Sequence, residues 1–289
     1  MYTNSATRYS NNLTLFFPSV YFHFDGAGNH PFNLSCCSGV GGSTNDGLWD
    51  TRFAVSRDDG ATIRYPDADV DARAPWLYQG NNRCEFTGSV DDQGGWCNPF
   101  DGSSADTDWD TSMVGSYPGL IPSADGELLY IYKWGTAATH HVGGHCPVTW
   151  GNKSGVGLMA LRTDGFVSVD AGYFHKPLAL MPQFTTVPLV VPLCSSGSIA
   201  VKVNVMTSVV GWVLVELRHS ESQEVIVGFG LDDADQVKGS FISKPISWSH
   251  GKCAAVPLKA IGAAKVIVHV VMVDASLFSV QFACAGTPG

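Results

Sequence analysis

Residues 113–171 constrain this chain most, because β-rich runs alternate there with turns that few residue types can make. MVGSYPGLI (113–121) precedes a Ser-Ala-Asp-Gly turn at 123–126. ELLYIYKW (127–134) follows, in which Leu128, Tyr130, Tyr132 and Trp134 alternate with Leu129, Ile131 and Lys133. A third run, GVGLMALR (155–162), is closed by Thr163-Asp164-Gly165, and a fourth, FVSVD, covers 166–170. Period-two alternation sends successive side chains to opposite faces of a strand, and Asp-Gly supplies the positive φ that a tight hairpin needs. Four such strands predict one antiparallel unit, either a propeller blade or an ordinary meander.

The pattern has an echo upstream. LWDTRFAVS (48–56), the turn RDDG (57–60) and the short run 61–65 repeat the order strand, Asp-Gly turn, strand. Between the two units lies a polar, strand-poor insertion at 66–112, and loops of that length are usually functional. From residue 173 the texture becomes short β-branched runs at 186–193, 198–206, 212–217, 225–229, 244–249, 265–273 and 278–282. Even spacing of about seven strands describes a β-sandwich. The predicted organisation is therefore all-β, with about two blade-like four-stranded units of a partial β-propeller in 1–172 and a β-sandwich in 173–289.

With 17 Lys and Arg against 26 Asp and Glu, the net charge is 17 − 26 = −9, which argues against a nucleic-acid or anionic-membrane partner. No apolar run approaches the ~20 residues needed to span a bilayer as a helix. The eight cysteines are Cys36, Cys37, Cys84, Cys97, Cys146, Cys194, Cys253 and Cys284, none in a C-x-x-C pair. Three sequons, at Asn12, Asn33 and Asn152, accompany this even count, and together they favour an oxidising, secretory setting and disulfide bonds. Pairing is open, since eight cysteines allow on the order of 100 connectivities. If the sandwich closes on itself, either Cys253–Cys284 or Cys194–Cys284 is the expected pairing. The N-terminus has no signal-peptide pattern, so a secreted protein would carry a processed or truncated start here.

Several strings together resemble a known group: YTNSATRY with LTLFFPSVYF, then SRDDG, LRTDGFVSVDAG, HKPL at 175–178 and the closing ISW…VDASLFSVQF. They are similar to uncharacterised bacterial proteins related to the five-bladed-propeller glycoside hydrolases of families 32 and 43, in which a propeller precedes a C-terminal β-sandwich. The likeness spans nearly the whole chain and is densest at 155–178 and 210–284. The chain departs from that pattern in having only two blade-like units before the sandwich. Its cysteines, sequons and expanded 66–112 loop also suggest a eukaryotic host.

The resemblance implies carboxylates at a propeller axis, since glycoside hydrolysis uses one carboxyl as acid and another as base or nucleophile. Asp46 and Asp50, flanking the start of the 48–56 run, and Asp110, preceding 113–121, are the candidates, with a turn-capping role as the alternative for each. Glu85, beside Cys84, is a weaker match because it falls in the insertion. Asp106, Asp108 and Asp110 have the alternate spacing by which a loop offers oxygens to calcium, or they form a solvated acidic loop. His140, His141, His145 and Cys146 could hold zinc, and His140 or His141 could instead bond a sugar hydroxyl. Trp96 and Trp109, flanked by Gly and Asp, suit stacking on sugar faces or an interface. The expected function is a secreted, disulfide-containing glycan-binding or extracellular structural protein, whose partner is a glycan or a protein that completes the propeller. An active glycoside hydrolase is the alternative.

Overall fold

A computed structural model describes residues 3–10, 12–23, 47–66, 76–77, 113–136, 154–173 and 177–286. It is all-β, 58% strand against 3% helix, so the side chains that matter sit on strands or on the turns between them. The chain divides into two compact units, residues 1–160 and 161–289, a little before the boundary expected at 172.

The first unit holds β1 (Thr3–Ser10), β2 (Leu13–His23), β3 (Gly47–Thr51), β4 (Ala54–Ser56), β5 (Met113–Ser116), β6 (Ile121–Pro122), β7 (Leu128–Thr136) and β8 (Ser154–Arg162), whose last residues lie past the division. They form one sheet in the order β1-β2-β3-β5-β7-β6, with β4 added beside β2 and β8 beside β7. Pro18 falls where β2 changes partner: residues 14–16 pair with β4 and residues 19–23 with β3. A residue without an N–H is tolerated at that switch, and its carbonyl accepts from Arg52 N at 2.8 Å. The 123–126 turn forms as expected, with Gly126 at φ 73° and Ser123 N bonded to the Leu128 carbonyl, and it joins β6 to β7. An aromatic cluster of Phe17, Phe53 and Trp76, centroids 5.0–5.8 Å apart, packs this unit with Leu15. Trp134 meets Trp49 edge-on at 5.1 Å.

The fourth strand expected in the 113–171 unit forms in part, as β9 (Val169–Ala171), but it pairs with the second unit's last strand rather than with β8. The run after RDDG is likewise reduced to a single bridge, Val55 to Arg64. Local alternation sets strand character, whereas pairing is chosen by whichever edge buries the apolar face.

The second unit contains β9, β10 (Gln183–Thr185), β11 (Leu189–Val190), β12 (Ser198–His219), β13 (Ser240–Pro245), β14 (Val256–Pro257), the one-turn helix α1 (Leu258–Ile261) and β15 (Lys265–Cys284). Two pairs of predicted strands are fused here: 198–206 with 212–217 into β12, and 265–273 with 278–282 into β15. The run at 225–229 is reduced to a single bridge, Val225 to Arg218, followed by a turn at 227–228. β12 and β15 pair antiparallel from Ile199↔Cys284 to His219↔Val266. The break between the runs 198–206 and 212–217 is a bulge: residues 208–211 of β12 stand opposite Asp274 alone, which has φ 44°. Ser208 Oγ accepts from the N–H groups of Val210 and Gly211, and any Cβ at Gly211 would collide with the Asp274 carbonyl. A bulge bends and twists its strand, and here Val201, Val203 and Val205 before it share one core with Val213, Val215 and Leu217 after it. Trp248 fills that core, its Nε1 donating to the Val215 carbonyl at 3.0 Å and its ring edge-on to Phe229.

Candidate functional site

Asp50 is the one catalytic candidate within the described residues. It lies on β3, opposite Val20 of β2, with Trp49 beside Met113 of the parallel neighbour β5. Two residues on, Arg52 returns to the same side and grips the carboxylate as a fork, Nε to Oδ1 at 2.9 Å and Nη2 to Oδ2 at 3.0 Å. Both groups are buried, Asp50 7% and Arg52 2% exposed, and the intervening Thr51 hydroxyl donates to the Val114 carbonyl. Burial pushes the Asp50 carboxyl above its ordinary value, and the Arg52 charge and hydrogen bonds oppose that shift. A carboxylate gripped bidentately keeps few lone pairs for a metal or a sugar hydroxyl.

The other carboxylates described in this unit, Asp58, Asp59, Asp125 and Glu127, are exposed. Asp58 closes the SRDDG turn: its carboxylate accepts from the Ser56 hydroxyl at 2.7 Å and from Thr62 N at 2.8 Å. Those bonds, the Ser56 hydroxyl first, lower its pKa to about 2. Asp125 does the same for its own hairpin, accepting from the Ser123 hydroxyl and from Glu127 N, and is held low in consequence. Turn capping is thus the role of Asp58 and Asp125.

The second unit carries a buried polar group that sequence reasoning missed. Glu216 on β12 stands opposite His269 on β15. Its carboxylate accepts from Arg218 Nε at 2.6 Å and from Leu231 N at 3.1 Å, while His269 Nδ1 meets the Thr185 hydroxyl at 2.9 Å. Burial, then the nearby Arg218 charge, depresses the His269 pKa despite Glu216. The signal lay in single polar residues inside otherwise apolar strands, Glu216 in VLVELRH and His269 in VIVHVVMV. A lone ionisable group there must find a partner or neutralise. Arg162, at the end of β8, is also missed. Its guanidinium donates to the Val205 and Phe241 carbonyls and lies 4.4 Å over the Phe278 ring.

Of the two pairings expected in the second unit, Cys194–Cys284 forms, with Cα atoms 5.3 Å apart. The expectation that Cys253 is also disulfide-bonded is corrected: it carries a free thiol, whose Sγ lies 3.6 Å from the Ala255 carbonyl. β15 brings Cys284 alongside Ile199, near Cys194, whereas Cys253 sits on a tight turn paired with Trp248. Asn12 is exposed in the β1–β2 turn.

Asp46, Asp110, Glu85, Trp96, Trp109, His140, His141 and His145 lie outside the described residues. So do the calcium candidates Asp106 and Asp108, the cysteines Cys36, Cys37, Cys84, Cys97 and Cys146, and Asn33 and Asn152. Among the described residues no three His, Cys, Asp or Glu side chains gather as a metal site, and no helix is long and apolar enough to cross a membrane. Compared with family models the chain matches none, and a search of curated proteins likewise finds no match.

Proposed function

We propose that this chain is a secreted, disulfide-containing glycan-binding or extracellular structural module, built on a propeller-and-sandwich scaffold of hydrolase type and without turnover of its own. The observation that carries the reading is the Asp50–Arg52 fork. The one described catalytic candidate has both oxygens engaged by a buried guanidinium two residues away. Such a pair is a structural charge element, because freeing the carboxylate would strand Arg52 in a poorly solvated site. The Cys194–Cys284 bond supports an oxidising compartment. Exposed apolar side chains on β7 and β8, among them Tyr132, Val156 and Leu158, support a β-rich partner surface that completes the sheet array.

An active glycoside hydrolase is the second reading, favoured by the raised pKa of Asp50, the direction a general acid needs. It requires a second carboxylate, for which Asp46 and Asp110 are the candidates. A panel of chromogenic glycosides and plant or algal polysaccharides separates the two. Saturable binding without turnover is the expected result. Turnover that survives purification and disappears in Asp46→Asn, Asp50→Asn or Asp110→Asn would overturn the module reading.

A further inference from the structure

We infer that Asn12 carries an N-linked oligosaccharide, which makes the tip of the β1–β2 hairpin a glycan attachment point. The inference rests on the secreted reading above and goes beyond it by choosing a site. Asn12-Leu13-Thr14 has the acceptor pattern. The fold puts it where a branched, solubilising group fits: Ser10 pairs with Leu13, so Asn12 lies in the connecting turn and is exposed. Its amide oxygen lies at the limit of hydrogen-bond range from the Ser10 hydroxyl, 3.5 Å, and no hydrogen bond of the side-chain nitrogen is seen among the described residues. That nitrogen is the atom that takes the sugar. Thr14 lies one residue into β2, with Arg8 and Ser56 as its strand neighbours, so the sequon reaches the ladder only after the turn. A glycan on Asn12 would therefore project from the hairpin end without displacing a paired residue.

The donor is a lipid-diphosphate-linked oligosaccharide. A bond forms between the Asn12 amide nitrogen and the anomeric carbon as the bond from that carbon to the diphosphate oxygen breaks. The lipid diphosphate leaves with the electron pair, and the amide gives one proton to the transferase's base. No oxidant or reductant enters.

The test expresses the full chain, directed to the secretory pathway of a eukaryotic cell, and maps peptides of the secreted protein before and after peptide-N-glycosidase. The expected result is a glycan-bearing Asn12 peptide that becomes an aspartate peptide on treatment. Asn12→Gln and Thr14→Ala should both abolish that peptide, and the gel shift attributed to it, while Ser10→Ala retains it. Secreted protein with the Cys194–Cys284 bond formed and Asn12 unmodified overturns the site while leaving the secreted reading intact. A chain that stays inside the cell with both cysteines reduced overturns both.

Discussion

The two units solve the same problem, burying one face of a twisted sheet, by different means. In the second unit two long strands pair along their whole lengths, a bulge folds their halves over one aliphatic core, and a disulfide ties the ends of the pair. The first unit relies on shorter strands, a small aromatic cluster and a buried ion pair at Asp50–Arg52. Large apolar side chains of its β6, β7 and β8, Ile121, Tyr132, Val156 and Leu158, remain open to solvent. The contrast teaches that two long paired strands can fold over one core with the segment that joins them, whereas a sheet of short strands depends on polar clamps and on what packs against it.

Removing the staple should give the largest change. Cys194→Ser with Cys284→Ser opens a loop of sequence separation 90, and chain entropy assigns such a loop about 4–5 kcal/mol. Hydrogen exchange should report that loss in the second unit while peptides of 3–23 keep their protection. Equal losses in both would break the comparison.

Asp50→Ala should destabilise the first unit by about 3 kcal/mol, because it uncovers a buried guanidinium. Urea titration followed by exchange at β2 and β3 measures it, and an unchanged midpoint would remove the fork from the list of clamps. Gly211→Val should destabilise the second unit by about 2 kcal/mol through the clash with the Asp274 carbonyl, as overpacking does. A neutral result would mean that the bulge can straighten without loss of the shared core.

The smallest expected effect is a divergence with pH. His269 is depressed below its ordinary 6.5, so below that pH the unfolded chain binds a proton that the folded one refuses. The second unit should therefore weaken as pH falls below 6.5. Asp50 is raised above 3.8, so the folded state keeps a proton that the unfolded state has lost, and the first unit should strengthen as pH falls towards 3.8. Exchange profiles at neutral and mildly acidic pH test the crossing, and His269→Gln should remove the second unit's slope.

Much of the local architecture was legible in the residues. The Asp-Gly and Ser-x-Asp turns at 56–60 and 123–126 need Gly at positive φ and a hydroxyl-to-carboxylate bond, and both appear where the spacing puts them. Strand character at 128–136 and 154–162 followed from alternation and β-branched or aromatic content. The fusion of four predicted runs into β12 and β15 was not legible, because the extra residues 208–211 interrupt the alternation and only the partner strand shows that pairing resumes beyond them. Nor was the partner of β9, which alternation alone cannot choose. At the candidate site the resemblance pointed to Asp50 as one of three candidate carboxylates, and the role of Arg52 two residues away went unread. An i, i+2 pair on one strand face is visible in Asp-Thr-Arg, yet only burial turns it into a clamp.

By itself, then, the sequence determined an all-β chain, its turn chemistry, its acidic charge and the choice of two disulfide partners for Cys284. Those properties depend on the φ preferences, hydrogen-bonding groups and periodicity of neighbouring residues. Tertiary structure alone decided that Cys194 and not Cys253 bonds Cys284, that β9 joins the second unit, that Glu216 faces His269, and that Asp50 is held by Arg52 away from water. Each of these is a contact or a burial set by strand pairing, and pairing is won by the register that hides the most apolar surface while leaving no buried polar group unmatched.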